Sequence, residues 1–512
     1  MGIQNFEELR NGGYLYVDKT DIVWRLANGA KYNYLSRPRR FGKSLLVDTL
    51  RCYFEGRSGL FSGLKIMEME TAWEKHPVLH FDMSCIGTTA SDFQQTLECN
   101  IARYETLYQK DAVETSVSSR FAGIIRRAHE QNGQGVVVLI DEYDGPVRDA
   151  WGTEEHEVLR NMYRSFLNVL KSESASIRFV FITGIAKFTQ LSLFSALNTL
   201  ENWSFDEKFE SLCGLTDEEI DTYFVPELEA MADEMGTTVP RLRRQLKDMY
   251  DGYHFSPRLT GVYNPASVIR SLYNRKLANF WASDGASRLL PEALKEGHVD
   301  VASLDGMAVP RSVLETSDYV VSNPAIFLYQ LGYLTIACAE GLFYYLRMPN
   351  TEVRTAFSEI VLPNLVKMES REQSSVINRM VRAFDCCDLE TAMVCLKQLV
   401  SATPYSNRTL TVDNVLEHHF QFILSTLFSV AGYAVEVERP VASGRIDMVV
   451  KTTEYIYVME LKLKQNGGLK AARNQMESRR YADAYGAEFR KVIPLAIVFD
   501  ADTRSLSEWK QL

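Results

Sequence analysis

The 512-residue sequence predicts an α/β chain. A mainly parallel sheet flanked by helices is expected toward the N-terminus, then a helical lid and middle region, then a second α/β domain. Three observations carry this expectation. The apolar run Tyr32–Leu35 leads into residues 36–44, Ser-Arg-Pro-Arg-Arg-Phe-Gly-Lys-Ser, and then into a pattern where Leu45, Leu46, Leu50 and Tyr53 recur at helical spacing. Residues Val136–Ile140 are five consecutive branched apolar residues that end in Asp141 and Glu142, as in a strand buried on both faces. Asp447 and the triplet Glu460-Leu461-Lys462 fall on two successive strand patterns near the C-terminus.

The length sets a prior of about three or four domains. A hydrophobic content of 46%, with 11% aromatic residues, is ample for packed cores. The net charge of −10 means that the chain as a whole is no polycation and does not advertise nucleic-acid binding. Charge is uneven, however: residues 411–512 hold 13 acidic and 13 basic side chains, so that region approaches a phosphate backbone without a large penalty. The eight cysteines include no Cys-x-x-Cys pair, which argues against a zinc ribbon and fits buried thiols in a reducing compartment. No apolar run approaches the roughly 18 residues that a membrane span needs, and the N-terminus lacks a signal peptide's apolar core. The expectation is a cytoplasmic protein with no membrane partner.

Taken in order, Tyr14–Thr20 reads as an edge segment leading into a helix at Asp21–Ala27 that Asp18 or Thr20 caps. The segment is either only a cap or a cover over a nucleotide base. Strand, tight loop, Gly-Lys-Ser and helix form the context of a phosphate-binding loop. Backbone amides and side chains of Arg39, Arg40, Phe41, Gly42, Lys43, Ser44 and Leu45 would surround the phosphates of ATP, at a helix N-terminus that favours anions. Lys43 would stand between the β- and γ-phosphates, and the Ser44 hydroxyl would ligate Mg²⁺. The general pattern asks for glycine where this chain has Arg37, so a basic turn capping a helix is the simpler alternative.

Val78–Ser84 reads as a second strand, with helices at Ser91–Tyr108 and Ser116–Gln131. The strand Gly135–Asp144 then supplies the second half of a P-loop ATPase. Asp141 would hold Mg²⁺ through Ser44 or a water, and Glu142 would act as general base on the attacking water. Arg178–Gly184 is a further buried strand whose tip residue Thr183 would face the γ-phosphate or lytic water, with Lys187 and Asn198 as weaker candidates. The ATPase domain is expected over residues 1–210 and a helical lid over 211–290, with helices at Leu215–Met235 and Val239–Met249. His254, alone in sequence, reads as a packing or hydrogen-bonding residue and not a catalytic one. A mostly helical middle region covers 291–402, with strand pieces at Leu334–Ala339 and Leu342–Met348, and Ser401–Thr409 is the best linker.

The last domain, 403–512, opens with an apolar helix at Leu416–Ala431 that carries Glu417. Strands follow at Tyr433–Glu438, Arg445–Val450 and Tyr455–Leu463, then a basic helix with Lys470, Arg473, Arg479 and Arg480. Glu460 and Lys462, two apart on one strand, share a face. Two carboxylates and a lysine converging on adjacent strands suit metal-assisted phosphodiester hydrolysis. Asp447, Glu460 and the Leu461 carbonyl would bind Mg²⁺, Glu417 would reach it directly or through water, and Lys462 would orient or deprotonate a water or stabilise the transition state. The basic helix would contact phosphates. The simpler alternative is an exposed strand face of alternating charge.

These stretches make the chain resemble the bacterial AAA-ATPase-like proteins with a C-terminal PD-(D/E)XK nuclease-like, that is restriction-endonuclease-like, domain. The resemblance rests on Tyr16-Val17-Asp18-Lys19-Thr20, the Arg37–Ser44 loop, Leu139–Asp144, Thr183-Gly184, Tyr250–Tyr253 with Tyr263-Asn264-Pro265, Gln330–Thr335, and the set Asp447, Glu460, Lys462, Gln475, Tyr481. It implies that Arg37 in place of glycine is typical of the family, and that an ATPase module is coupled to a nuclease-like module. It supplies no substrate; DNA or RNA is what the phosphodiester chemistry of the last domain suggests. Two functions remain open: an ATP-dependent, Mg²⁺-dependent nuclease, and an ATP-gated scaffold that binds nucleic acid or protein through an inactive nuclease-like domain. A homo-oligomer is left open too, as is the source of any arginine finger, for which Arg37, Arg39, Arg40 and Arg178 all qualify.

Overall fold

The computed structural model describes residues 2–84, 87, 89–150, 153–185, 200–281, 304, 306–316, 324–366, 368–403, 413–441, 444–485 and 489–512. Lys187, Asn198 and most of the 401–409 stretch lie outside them. The chain divides into two compact units. One comprises Met1–Lys247, Asp251–Lys276 and Ala308–Arg347; the other comprises Asp248–Tyr250, Leu277–Met307 and Met348–Leu512.

In the first unit, strands β1 (Tyr32–Ser36), β2 (Val78–Asp82), β3 (Val136–Asp141), β4 (Ile177–Gly184) and β5 (Leu200–Asn202) form a sheet in the order β2-β3-β4-β1-β5. Every neighbouring pair is parallel. Parallel neighbours need crossovers, and Lys43–Phe54, Ala90–Tyr108, Val117–Asn132 and Glu155–Ser172 supply helices between the strands. The uninterrupted apolar run of β3 is explained by its central place: all six residues are buried. Phe81 on β2 meets Phe121 and Phe166 from two of the flanking helices, at 5.1 and 5.2 Å between ring centres.

Tyr14–Lys19 is not in a strand ladder. The helix after it starts at Thr20, and the Asp18 carboxylate accepts from the Thr20 backbone amide at 2.9 Å. The lid region contains helices Asp217–Tyr223, Val225–Glu234 and Val239–Tyr250, the expected first helix being broken where Pro226 starts a new one. Asn264 caps the helix Pro265–Asn274 through two backbone amides, which accounts for the Asn-Pro pair. Further on, β6 (Ala308–Pro310), β7 (Thr335–Glu340) and β8 (Phe343–Arg347) form an antiparallel sheet in the order β6-β8-β7.

The second unit holds a five-stranded mixed sheet. It comprises β9 (Ala434–Val441), β10 (Gly444–Lys451), β11 (Tyr455–Leu463), β12 (Lys491–Asp500) and β13 (Ser505–Gln511), in the order β13-β12-β11-β10-β9. The helix Asp413–Val430 lies on one face, where Phe420, Leu424 and Phe428 join Met448, Tyr457 and Leu495 in a core that helices Ser370–Asp385 and Leu389–Ser401 extend. The helix Gly468–Arg479 covers the other face through Ala472 and Met476 against Ile446, Val449 and Val458. It makes the crossover that the parallel pair β11–β12 requires. Strands β12 and β13 go beyond the three-strand expectation and complete the sheet.

Candidate nucleotide and metal sites

The loop between β1 and the helix Lys43–Phe54 is shaped by its backbone and by what lies behind it. Gly42 stands at φ +91°, in the left-handed region, and a Cβ built there would meet nothing within 4 Å. The front of the loop is open. The Lys43 ammonium is buried and donates to the carbonyls of Arg37 and Pro38 at 3.2 and 3.1 Å, with the Glu142 carboxylate at 3.6 Å. The Ser44 hydroxyl hydrogen-bonds the Asp141 carboxylate, which also accepts from the Glu142 amide at 2.8 Å. Burial pushes the Asp141 carboxyl up to about 6, against the pull of Ser44 and Lys43. Glu142 adopts φ +50°, a conformation that a non-glycine residue holds only under constraint, as the chain turns off the tip of β3. Lys43, Ser44, Asp141 and Glu142 are therefore brought together.

The remaining expected residues divide. Arg39, Arg40, Ser44 and Leu45 are half-buried at the loop, with Arg40 at φ +67°. The Phe41 ring points into the core, edge-on to Tyr253 and Phe255 at 4.9 and 5.4 Å, so only its backbone is left to face phosphate. Thr183 requires a correction. It is fully buried and its hydroxyl donates to the Leu35 carbonyl at 2.7 Å, tying β4 to β1, so that hydroxyl does not face a phosphate. Arg37 is corrected as well. Its guanidinium is 1% exposed, donates to the carbonyls of Ser36, Ser204 and Phe209, and lies 4.1 Å over the Phe255 ring. It is a core strut and not a candidate arginine finger.

Two further stretches prove to be the back of this loop. A Cβ at Gly332, where φ is +85°, would sit 2.7 Å from the Pro38 ring, and the Tyr253 hydroxyl donates to the Gly332 carbonyl at 3.0 Å. The His254 ring nitrogen hydrogen-bonds the Ile336 carbonyl at 2.7 Å. At the tip of β4, a Cβ on Gly184 would fall 2.0 Å from the buried Asp144 carboxylate, which is itself paired with Arg148 at 2.7 Å. Beside the loop lies a cavity of about 460 Å³, bounded by Tyr14–Val17, Leu45, Cys213 and Tyr273 among mainly apolar neighbours. Its size and apolar lining fit a nucleoside. The open glycine front, the buried lysine and the serine–aspartate pair fit the phosphates and Mg²⁺ of ATP.

In the second unit, Asp447 on β10 and Glu460 on β11 share the ammonium of Lys462, which stands 3.7 Å from the former carboxylate and 2.9 Å from the latter. The Asp447 carboxylate also accepts from the Leu461 amide at 2.8 Å. Glu460 is fully buried, and the Lys462 ammonium is its hydrogen-bonding partner. Burial raises the pKa of both carboxyl groups; Asp447 raises Glu460 further, and Glu438 and Glu417 raise Asp447. Burial works against the Lys462 charge, but Asp447 and Glu460 outweigh it and hold the pKa above its ordinary value. Glu417 accepts from the Leu463 amide at 3.1 Å and from Asn466 at 3.2 Å. With His418, Gln421, Glu438, Asp447 and Leu461 it lines a cleft of about 70 Å³. Among the described residues, no three His, Cys, Asp or Glu side chains are disposed as a ready cation cage. The two carboxylates that share one ammonium nonetheless fit a hard divalent cation, which takes carboxylate and carbonyl oxygens.

Sequence reasoning missed Glu438 and Gln421. The Gln421 amide donates to the Asp447 carbonyl at 2.7 Å and to the Glu438 carboxylate at 3.0 Å. Gln421 was findable, since it lies four residues after Glu417 on one helix face. Glu438 was not: it reaches the site through a φ of +51° in β9, opposite Asp447, and no local signal marks it. The Gln475 amide donates to the Tyr481 hydroxyl at 3.3 Å.

Comparison with known proteins follows this division. Residues 1–194 match the family model described as predicted AAA-ATPase, and residues 415–509 match the PD-(D/E)XK nuclease superfamily model. The "uncharacterized protein in vnfD 5′ region" of Azotobacter chroococcum mcd 1 is 30% identical over 518 residues, covering 99% of this chain and 97% of that one. The solved ORC2 protein of Aeropyrum pernix, in ADPNP-ADP complexes, aligns at 12% identity over 67% of this chain and 91% of its own, with a TM-score of 0.28. That score carries no argument. No described helix is long and apolar enough to cross a membrane.

Proposed function

We propose a function from one premise: the chain belongs to the family in which a predicted AAA-ATPase domain and a PD-(D/E)XK nuclease superfamily domain share one polypeptide. On this reading the first domain binds and slowly hydrolyses ATP, and the second cuts DNA or RNA phosphodiesters with Mg²⁺. ATP changes the state of the first domain and so licenses cleavage. The observation that carries the reading is the fully buried Glu460 carboxylate, which shares the Lys462 ammonium with Asp447. Two carboxyl groups on one ammonium leave an excess of negative charge, which a bound cation would answer.

A bound divalent cation would supply charge neutralisation of the phosphate and a water of lowered pKa. The chain's own groups do the rest. Asp447, Glu460 and the Leu461 carbonyl hold the cation, with Glu417 at the neighbouring edge. Lys462, cationic between two carboxylates, acts as a donor to the reacting phosphate rather than as a base. In the ATPase domain Lys43 carries charge to the phosphates, Ser44 and Asp141 hold the cation, and Glu142 accepts the proton of the attacking water. Cytoplasmic residence and a homo-oligomer that lends an arginine in trans both agree with this reading.

The absence of a ready three-ligand cage among the described residues favours a second reading, an ATP-gated binder of nucleic acid or protein. Cleavage of a mixed panel of single- and double-stranded DNA and RNA with Mg²⁺, with and without ATP, decides between them. The expected result is ATP-sensitive cleavage that falls about 10²–10⁴-fold in Lys462→Ala. No cleavage with ATP binding intact favours the binder.

A further inference from the structure

We infer that the cavity between the start of β10 and the last turns of the helix Gly468–Arg479 is a phosphate subsite for the nucleic-acid strand, next to the reacting phosphate. This inference rests on the nuclease-domain reading above and narrows it. The cavity, about 590 Å³, is lined by Gly444, Arg445, Asp447, Asn474, Gln475, Ser478, Arg479 and Tyr481. Six of these side chains offer hydrogen-bond donors, two of them guanidinium groups that suit phosphate oxygens. The one carboxylate, Asp447, is also a wall of the acidic cleft with Glu417 and Glu438. The two spaces therefore meet at Asp447: acidic on the side that suits a cation, donor-rich on the side that suits an anion.

Two details of the fold point the same way. Gly444 adopts φ +149°, and a Cβ there would lie 3.3 Å from the Tyr481 hydroxyl and 3.5 Å from an Arg479 guanidinium nitrogen. The missing side chain lets both groups close over the strand start. Arg445 stands 3.2 Å from the Glu438 carboxylate, with its side chain 66% exposed, so the guanidinium is held near the cavity yet remains reachable. The partial negative charge at the helix C-terminus opposes an anion here, but it is weaker than two guanidinium charges. The rest of the basic helix is less suited: Arg473 and Lys470 lie outside the cavity.

The test is binding of a fluorescein-labelled 20-nucleotide single strand to the full chain in Ca²⁺, read by anisotropy across a salt series. Arg445→Ala and Arg479→Ala should each weaken binding about 10-fold and lower the salt slope by about one. Lys491→Ala removes one charge beside Tyr455, at the end of β11 away from Lys462, and should do neither. Equal losses in all three variants, or a wild type that does not bind the strand, would overturn the subsite. Cleavage by the wild type in Mg²⁺ is scored separately. Binding that depends on Arg445 and Arg479 without any cleavage keeps the subsite and sinks the nuclease reading. Cleavage with no selective loss at these arginines does the reverse.

Discussion

The two sites solve opposite electrostatic problems. At the phosphate loop the charged groups are already answered by the protein: Lys43 by two loop carbonyls, Asp141 by Ser44 and a backbone amide. In the nuclease-like unit, Glu460 and Asp447 share the ammonium of Lys462. The first site can rest empty at little cost, because its own backbone stands in for the ligand's partners. The second sets two carboxyl groups against one ammonium, an excess that a bound cation would relieve. The first is also braced from behind by Tyr253, Phe255 and Gly332, so its precision comes from packing, whereas the second depends on the register of two adjacent strands.

The largest expected effect tests the lysine that marks the first site. Lys43→Ala should lower ATP affinity at least about 100-fold, by loss of charge-assisted bonds to phosphate, with thermal stability nearly kept. Isothermal titration with a non-hydrolysable ATP analogue measures it, and unchanged affinity would refute the phosphate-loop assignment. Next in size is a packing change at the tip of β4. Gly184→Ala places a methyl against the buried Asp144–Arg148 pair and should destabilise the first unit by about 1–3 kcal/mol in denaturant unfolding. A silent Gly184→Ala would show that the tip gives way, and that precision at this site does not come from packing.

The smallest effect has the opposite sign and sharpens the contrast most. The pKa of Glu460 in the folded chain is above its unfolded value. As pH rises through the window between the two, the unfolded chain loses a proton that the folded chain keeps, so stability falls. Glu460→Gln should remove that fall and raise stability at pH 8 by about 1 kcal/mol. Asp141→Asn should gain less, since the Asp141 carboxyl is also raised but receives bonds from Ser44 and an amide. Added Mg²⁺ should stabilise the wild type and leave Glu460→Gln unmoved. If Glu460→Gln lowers stability instead, the carboxylate is a structural partner and the two sites do not differ in kind.

What could be read from the residues alone was local. Branched apolar runs marked β3 and β4, the Gly-Lys-Ser spacing marked the loop, and the Glu460–Lys462 step placed two groups on one strand face, because each signal lies within a few residues of itself. Strand β12 was not recognised; its Pro494 reads against a central strand, and burial between β11 and β13 overrode that preference. The role of Arg37 was out of reach for a different reason. Its partners Ser204, Phe209 and Phe255 lie more than 160 residues away, so an arginine where glycine was expected looks like a defect until the fold closes around it. The same holds for Gly332 under Pro38 and for Glu438 opposite Asp447. Sequence spacing specifies which chemistry a strand or loop carries, whereas contacts between distant segments exist only once the chain has packed, and those contacts settle which charges are answered and which await a ligand.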